Sequence, residues 1–126
     1  MVGIVIVSHS QKLAEGVVEI SRMMAAEAPL AAAGGLEDGG LGTSYEKICA
    51  AIEEVYSADG VIILMDMGSA VMTTEMVLED LDKDNVKMLD CPLVEGAVLA
   101  AVESAGGRSL KEISERIEES RTTKKF

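Results

Sequence analysis

Four short, almost wholly apolar runs alternate with segments of helical periodicity along this chain, and this alternation constrains its fold more than any other feature. Runs of this kind are typical of strands that are buried on both faces. Strands separated by helices form a parallel sheet that helices cover on both sides. We therefore predict one domain over residues 1–126, with an α/β fold whose open, doubly wound sheet is mostly parallel. About four strands are expected, at residues 2–7, 30–33, 61–65 and 86–89.

Two helices are predicted between the first three strands. Apolar residues at helical spacing indicate a buried stripe, which ends before Pro29 because proline disfavours helix at the preceding residue. The stripe consists of Leu13, Val17, Ile20 and Met24. Further on, Thr43 and Glu46 have the spacing of a capping box, which predicts the start of the second helix. The side chains expected on its buried face are Tyr45, Ile48, Cys49, Ile52 and Val55.

Three more helices are predicted in the second half of the chain. A third helix is expected over about 66–81 and a fourth over about 92–106. Ser109 and Glu112 have capping-box spacing and predict a last amphipathic helix. Its apolar stripe is Leu110, Ile113 and Ile117. We expect the tail from 122 to 126 to be frayed.

The balance of charge excludes one large class of function. Eleven Lys and Arg against 22 Asp and Glu give a formal net charge of −11. A nucleic-acid backbone would be repelled, so we expect no nucleic-acid partner. Aromatic residues make up only 2% of the chain, so its core is predicted to be aliphatic. Surfaces that stack sugars or bases usually need aromatic side chains.

The cysteines and the amino-terminal sequence indicate the compartment. Cys49 and Cys91 lie far apart without metal-ligand spacing, which predicts two buried, reduced thiols and no bound metal. The first residues lack the basic start and long apolar stretch of a signal peptide, and no run is long enough to span a bilayer. We therefore expect a cytoplasmic protein without membrane insertion.

Polar or glycine-rich segments follow three of the predicted strands. They are residues 8–10 (Ser-His-Ser), the glycine-rich stretch 34–42, and residues 66–69 (Asp-Met-Gly-Ser). The carboxyl ends of parallel strands meet at one edge of a sheet, where open α/β folds bind their ligands. We therefore expect the three segments to gather there. The stretch 34–42 has no lysine and matches neither GxxxxGK[ST] nor GxGxxG, so no motif supports autonomous nucleotide binding.

His9 is the only histidine and the candidate nucleophile of the chain. It lies at a strand-to-helix turn, where free backbone amides and the positive end of the helix dipole suit a phosphoryl group. Ser10, beside it, is a candidate phosphate-binding residue. Because Ser8 and Gln11 have capping-box spacing, the sequence leaves open whether Ser8 or Ser10 caps the helix.

Asp66 has two interpretations. An aspartate at the end of a strand often only caps the following turn. Alternatively, its carboxylate accepts a hydrogen bond from one ring N–H of His9, which fixes the tautomer and supports positive charge on the ring. The other ring nitrogen is then free to attack a phosphoryl group. If the bond comes from Nδ1–H, the phosphoryl group goes on Nε2.

Several further residues are candidates for the site. Gly68 and Ser69 can offer backbone amides to phosphoryl oxygens, and Thr43 can contribute from the facing loop, although helix capping is an alternative role for each. Four methionines are interpreted mostly as core residues, and any that are exposed would form an adaptable docking surface. These methionines are Met65, Met67, Met72 and Met76.

Four segments together resemble a known family. They are 3–10 (GIVIVSHS), 42–44 (GTS), 61–69 (VIILMDMGS) and 91–97 (CPLVEGA). The chain resembles the phosphotransferase subunits of dihydroxyacetone kinase, the DhaM family, whose domain is similar to the mannose-type EIIA domain of the sugar phosphotransferase system. The resemblance covers nearly the whole chain, in the family order. It implies a phosphotransferase that is phosphorylated on His9 and uses Asp66 to orient that ring.

The resemblance also implies partners. The phosphocarrier protein HPr, charged from phosphoenolpyruvate through enzyme I, would be the donor. The acceptor would be ADP on the DhaL subunit, and the ATP formed there would phosphorylate dihydroxyacetone bound to DhaK. ADP, ATP and Mg would then be bound by the partner and no cofactor by this chain. Because the sequence ends at Phe126 without HPr-like or enzyme I-like domains, the donors are expected to be separate proteins. A homodimer is also implied.

Other functions stay open. The turn at 67–70 is Met-Gly-Ser-Ala rather than the Gly-Gly-Ser-Pro-like turn of mannose-type domains, which favours the dihydroxyacetone branch. The alternatives are a sugar-transport component that passes phosphate to a IIB domain, a regulatory module that senses phosphorylation, and a structural domain in which His9 is incidental. A receiver domain would need acidic residues after the first strand, where this chain has Ser-His-Ser.

Overall fold

A single four-stranded parallel sheet forms the centre of the protein. The computed structural model describes residues 1–126. The strand order is β2-β1-β3-β4, and all three strand pairs are parallel. The predicted α/β fold with an open parallel sheet is confirmed. The strands are β1 (Gly3–Ser8), β2 (Leu30–Gly34), β3 (Val61–Met65) and β4 (Val86–Met88).

Five helices cover the two faces of this sheet. They are α1 (Gln11–Met24), α2 (Tyr45–Val55), α3 (Gly68–Leu81), α4 (Leu93–Ala105) and α5 (Leu110–Ser120). Side chains alternate between the faces of a strand, so Ile4 and Ile6 pack towards α1, α4 and α5, while Val5 and Val7 pack towards α2 and α3. Both clusters are aliphatic, as the low aromatic content predicts.

Serines start three of the helices. Ser10 caps α1 by accepting a hydrogen bond from the Leu13 N–H. Ser109 and Glu112 form the predicted capping box of α5. The capping box predicted at Thr43 is wrong, because the side chain of Ser44 caps α2 by accepting from the Lys47 N–H.

The predicted buried stripe of α1 is wrong for all its members except Val17. Leu13, Ile20 and Met24 are exposed, and the buried face consists of smaller side chains. That face is Ala14, Val17, Val18 and Ser21. Small side chains let α1 approach the sheet closely, and the larger apolar residues are left towards solvent.

Tyr45 and the two cysteines were predicted to be buried, but the structure leaves each of them partly exposed. Tyr45 and Cys49 are half-buried in α2, where Ala51 completes the buried face instead. Cys49 and Cys91 are both free thiols, as predicted, but each is half-buried. Burial raises the pKa of Cys91 to about 11, so its thiol is protonated at neutral pH.

The amino terminus lies at the edge of the sheet opposite His9. The Met1 ammonium group is 2.6 Å from a carboxylate oxygen of Asp59, which precedes β3. Strand β1 then carries the chain across the sheet to the turn at residues 8–10. This opposite edge contains none of the candidate site residues.

Gly34, at the end of β2, allows the close approach that positions this turn. A Cβ atom added there would lie 2.5 Å from the Ser10 carbonyl oxygen and 2.7 Å from the Ala14 Cβ. We expect Gly34→Ala to lower the free energy of unfolding by about 1–3 kcal/mol, because the start of α1 must move away. Urea unfolding measures this change.

Gly16 provides the control for this prediction. It lies inside α1, and no heavy atom would come within 4 Å of an added Cβ. Gly16→Ala is expected to raise the free energy of unfolding by about 0.5–1 kcal/mol, because glycine disfavours a helix interior. Similar stabilities for the two variants would contradict the close contact at Gly34.

Candidate functional site

The three predicted segments meet at the carboxyl edge of the sheet. The Gly35 N–H donates to the Ser8 carbonyl at 3.1 Å, and the Gly42 N–H donates to the His9 carbonyl at 2.9 Å. These bonds hold the glycine-rich stretch against the turn that follows β1. From β3, Asp66 bonds to the same turn. The predicted gathering of the three segments is thus observed.

His9 and Asp66 form a hydrogen-bonded pair. The ring atom Nδ1 of His9 is 3.0 Å from Oδ1 of Asp66, with the two side chains 22% and 11% exposed. An ionised carboxylate can only accept, so the neutral ring carries its proton on Nδ1 and the unprotonated Nε2 faces the Ser69 hydroxyl. The geometry is therefore that of a histidine whose Nε2 can act as a nucleophile.

Asp66 receives four hydrogen bonds, two on each oxygen. Oδ2 accepts from the Ser8 hydroxyl at 2.8 Å and from the His9 N–H at 3.1 Å. Oδ1 accepts from the His9 ring and, at 2.8 Å, from the Met67 N–H. Burial acts to raise the pKa of Asp66, but the bonds from His9, Ser8 and Met67 outweigh it and hold this pKa below the ordinary value of an aspartate.

Ser8 is a site residue that the sequence analysis did not single out. Its side chain is fully buried, donates to Asp66 and accepts from the Ser10 N–H at 3.0 Å. It therefore joins the carboxylate to the start of α1, and it does not cap that helix. The sequence signal for Ser8 was its position next to His9. Ser10 is also next to His9, so this signal did not show which serine bonds to Asp66.

The Nε2 side of His9 faces the first turn of α3. The Ser69 hydroxyl contacts Nε2, and both Gly68 and Ser69 are exposed. No side chain caps α3, whose N-cap is Met67. The Ala70 N–H donates to the Met67 carbonyl, so the amides without a capping partner are those of Gly68 and Ser69. An uncapped helix start favours an anion there.

The other candidate phosphate-binding residues are engaged differently. The Ser10 hydroxyl caps α1, as described above. The Thr43 hydroxyl is 2.9 Å from that of Thr73 in α3. Thr73, which the sequence analysis did not identify, also donates to the Ser69 carbonyl at 3.3 Å. A direct contact of Ser10 or Thr43 with phosphate stays a prediction.

The interpretation of the methionines as mostly core residues is wrong. Met67, Met72 and Met76 are 61%, 70% and 58% exposed, and Met65 is half-buried. Since Ser69, Met72 and Met76 recur at helical spacing, they share one side of α3. Glu75 and Glu79 are exposed beside them, and together these side chains line a shallow surface pocket. We call Met72, Glu75, Met76 and Glu79 the α3 face.

The groups around His9 are a nucleophilic nitrogen, a carboxylate, hydroxyls and backbone amides. The Lys47 ammonium group lies at the same edge, where it donates to the Gly34 carbonyl at 2.9 Å. No group of three or more His, Cys, Asp or Glu is arranged to hold a metal ion. None of the helices has the length and apolar content needed to cross a membrane. The hydrogen bonds around His9 and Asp66 involve no Lys or Arg side chain.

Curated relatives are similar over most of this chain. The chain is 40% identical over 116 residues to the phosphotransferase subunit DhaM of a PTS-dependent dihydroxyacetone kinase from Lactococcus lactis, covering 92% of this chain and 93% of that protein. It is 41% identical over 120 residues to the phosphoryl donor subunit DhaM of a PEP-dependent dihydroxyacetone kinase from Escherichia coli. That match covers 90% of this chain but only 25% of the longer relative.

Solved structures share the fold. A crystal structure of a protein of unknown function has a TM-score of 0.85 and 28% identity, covering 100% of this chain and 99% of that one. A sigma-54 interaction domain protein from Enterococcus faecalis has a TM-score of 0.75 at 20% identity, covering 94% of this chain and 89% of that one, and supports the fold alone.

A family model also matches most of the chain. The model of the EIIA-man family, whose description is the fructose IIA component of the PTS system, matches residues 3–114. This range contains the whole carboxyl-edge site, from the turn after β1 to the first turn of α3. The chain therefore belongs to the EIIA-man family.

Proposed function

We propose that this protein is a phosphohistidine carrier that accepts a phosphoryl group on His9 and passes it to an acceptor on another protein. One observation carries the proposal: Nδ1 of His9 is held by Asp66, while Nε2 faces the uncapped first turn of α3. This arrangement presents a nucleophilic nitrogen next to amides that favour phosphoryl oxygens.

Two in-line displacements complete the reaction. In the first, the Nε2 lone pair attacks the donor's phosphorus, the Nε2–P bond forms and the bond from phosphorus to the donor breaks. Asp66 supports the positive charge that develops on the ring. In the second, an oxygen of the acceptor attacks, the Nε2–P bond breaks and neutral His9 is regenerated. Positioning and electrostatics supply most of the catalysis in such transfers.

The polar groups next to Nε2 suit a carrier that must release its phosphoryl group. The hydrogen bonds of the site contain no Lys or Arg, whose charge would bind a phosphoryl group strongly. Gly68 and Ser69 are exposed, so a donor or acceptor can reach Nε2 directly. A phosphoryl group held by amides and a hydroxyl can be released to the next partner.

The α3 face supports transfer between proteins. Flexible methionines form adaptable contacts, and Glu75 and Glu79 favour a basic surface on the partner. The net charge of −11 steers such a partner towards the chain. The face lies on the same side of α3 as Ser69, so a protein that binds it also reaches Nε2.

The relatives suggest which partners these are. Because proteins about 40% identical are named as DhaM subunits of dihydroxyacetone kinases, we propose phospho-HPr as the donor and ADP on a DhaL subunit as the acceptor. The ATP and Mg would then belong to DhaL, and dihydroxyacetone would be phosphorylated on DhaK. The carrier would act in the cytoplasm, where these partners would be found.

Transfer to a sugar-transport IIB domain is the second candidate. The description of the matching family model, the fructose IIA component, favours it. The named relatives at about 40% identity favour the dihydroxyacetone kinase pathway. Both candidates use the same His9 chemistry and differ only in the acceptor.

We also propose that the protein is a homodimer. Leu13, Ile20 and Met24 of α1 are exposed, as are Val94 and Val102 of α4, and the two helices are packed neighbours. A second copy would cover these apolar side chains. Light scattering is expected to give twice the mass of one chain, and Ile20→Lys is expected to shift the mass towards that of a monomer. A monomer at every concentration would contradict the proposal.

An intact-mass assay tests the carrier function. We expect the protein, mixed with phosphoenolpyruvate, enzyme I and HPr, to gain one acid-labile phosphoryl group. Addition of DhaL loaded with ADP is then expected to remove the group and form ATP. Retention with DhaL but loss to a IIB domain would favour the second candidate. No gain of phosphate would contradict the phosphohistidine carrier.

A further inference from the structure

Four hydrogen bonds, together with the peptide bond between Gly42 and Thr43, form a closed ring that includes the reactive nitrogen. The Gly42 N–H donates to the His9 carbonyl, and the next residue, Thr43, shares a hydrogen bond with Thr73. Thr73 donates to the Ser69 carbonyl, and the Ser69 hydroxyl contacts Nε2 of His9. The ring joins the glycine-rich stretch, α3 and His9, and two of its members, Thr43 and Thr73, lie outside the three segments predicted from sequence.

The direction of the bonds follows from the available protons. Each threonine hydroxyl has one proton and two lone pairs. Thr73 uses its proton on the Ser69 carbonyl, so Thr43 donates to Thr73. In this arrangement Thr43 acts as a bridge, and its proton is not available to a phosphoryl group.

The first turn of α3 is held on one side by the Met67 N–H, which donates to Asp66, and on the other by the buried Ala70. The two residues between them have fewer contacts. No side chain caps the helix, Gly68 has no side chain, and both Gly68 and Ser69 are exposed. Amides and hydroxyls stabilise a transition state only when their positions are fixed before the reaction. The Thr73 hydroxyl, which contacts both the Ser69 carbonyl and the Thr43 hydroxyl, adds a link between this turn and the loop before α2.

We propose that Thr73 is a positioning residue for phosphoryl transfer at His9. Through one hydroxyl it ties the glycine-rich stretch to the first turn of α3 and holds the Ser69 hydroxyl and nearby amides over Nε2. Thr73 itself does not touch the reacting atoms. This inference rests on the proposed carrier function.

The experiment compares Thr73→Val, Thr73→Ser and Thr74→Val in the full chain. Valine keeps the shape of threonine and removes the hydroxyl, whereas serine keeps the hydroxyl. Thr74 is the matched control because its buried hydroxyl, one residue away on the same helix, has no hydrogen-bond partner. Single-turnover phosphorylation by phospho-HPr is measured over a range of donor concentrations.

We expect Thr73→Val to lower the maximum rate constant about 10- to 100-fold, the scale of a small misplacement of catalytic groups. The half-saturating donor concentration is expected to stay within about twofold, since the α3 face is intact. Thr73→Ser and Thr74→Val are expected to transfer within about threefold of the parent chain. Thr43→Val breaks the same bond from the loop side and is expected to match Thr73→Val. If Thr73→Val does not fold, Thr43→Val is compared with the parent chain in its place.

Three results would overturn the assignment. They are equal rates for Thr73→Val and Thr74→Val, a loss confined to the half-saturating concentration, and no recovery in Thr73→Ser. In each of them the parent chain is still phosphorylated, so the carrier function stands. If the parent chain accepts no phosphate, both the function and this assignment are overturned.

Discussion

Replacing His9 by Gln is expected to abolish phosphate incorporation completely. The Gln side chain offers no nucleophilic nitrogen, because the lone pair of an amide nitrogen is delocalised into the carbonyl. Its N–H groups can still donate to Asp66, so the local hydrogen bonds are largely kept and the fold is expected to persist. Intact-mass spectrometry after incubation with phosphoenolpyruvate, enzyme I and HPr measures the result.

The control for His9→Gln is Ser109→Ala. Ser109 caps α5 and lies beside Met1 and Asp59, away from the carboxyl edge, so its replacement is expected to cost about 0.5–2 kcal/mol of stability while phosphorylation continues. Phosphate that persists in His9→Gln, and is stable in acid, would indicate a serine or threonine ester and contradict the assignment of His9.

Asp66→Asn is expected to lower the rate of phosphorylation about 10²- to 10⁴-fold. Each oxygen of Asp66 accepts two hydrogen bonds, and Asn can replace only one of the two oxygens with an acceptor. The NH2 group of Asn must therefore face one of two pairs of donors, and it can accept from neither. One pair is the Ser8 hydroxyl and the His9 N–H, and the other is the His9 ring and the Met67 N–H. The negative charge that supports the charged ring is also lost. Rapid-quench phosphorylation by phospho-HPr measures the rate.

Asp59→Asn is the matched control for this prediction. Asp59 is an exposed aspartate at the opposite edge of the sheet, where it pairs with the Met1 ammonium group. Its replacement is expected to leave the phosphorylation rate unchanged, because exposed ion pairs contribute little and this one is far from His9. If Asp66→Asn transfers as fast as Asp59→Asn, then Asp66 does not orient the ring.

The difference in stability between the parent chain and Asp66→Asn is expected to depend on pH in a defined direction. The pKa of Asp66 is lowered in the folded chain, so its ionised form stabilises the fold above the unfolded pKa near 3.9. This contribution is lost as the pH falls through the folded pKa. The difference in Tm between the parent chain and Asp66→Asn is therefore expected to shrink between about pH 5 and the acid limit of folding. A constant difference over this range would contradict the lowered pKa.

The sheet was predictable because its signals are local. Residues 2–7 and 61–65 are short, apolar and rich in β-branched side chains, which is typical of buried strands. Strand β3 has the predicted limits, and β1 is shifted by one residue, to Gly3–Ser8. The rule that ligands bind at the carboxyl edge then placed His9 and Asp66 together. Their hydrogen bond is the part of the site that sequence reasoning anticipated most closely.

Burial was harder to predict because it depends on the distance between elements. In α1 the helical spacing of Leu13 and Ile20 predicts the apolar stripe, but the residues buried include Ala14. The structure buries Ala14 because β2 approaches α1 closely at Gly34, where only small groups fit. The methionines of α3 were misjudged for a related reason. Periodicity indicates a face but does not show whether another element covers it.

Hydrogen bonds between distant residues were the least predictable part of the site. Thr43 and Thr73 are 30 positions apart, and neither belongs to a motif that names the other. Ser8 and Ser10 have the same side chain on either side of His9, but one is buried against Asp66 and the other caps a helix. Only the path of the backbone assigns these roles.

The position of the amino terminus determines how this protein can be tethered. Met1 lies at the edge of the sheet opposite His9, and the six residues of β1 separate the two by about 20 Å. A dye, an affinity tag or a sensor surface attached there would leave Nε2 and the α3 face accessible. The tail is a poorer attachment point, because Lys125 contacts Glu95 in the first turn of α4. That helix begins at the same edge as His9, so a group fused to the tail would crowd arriving partners.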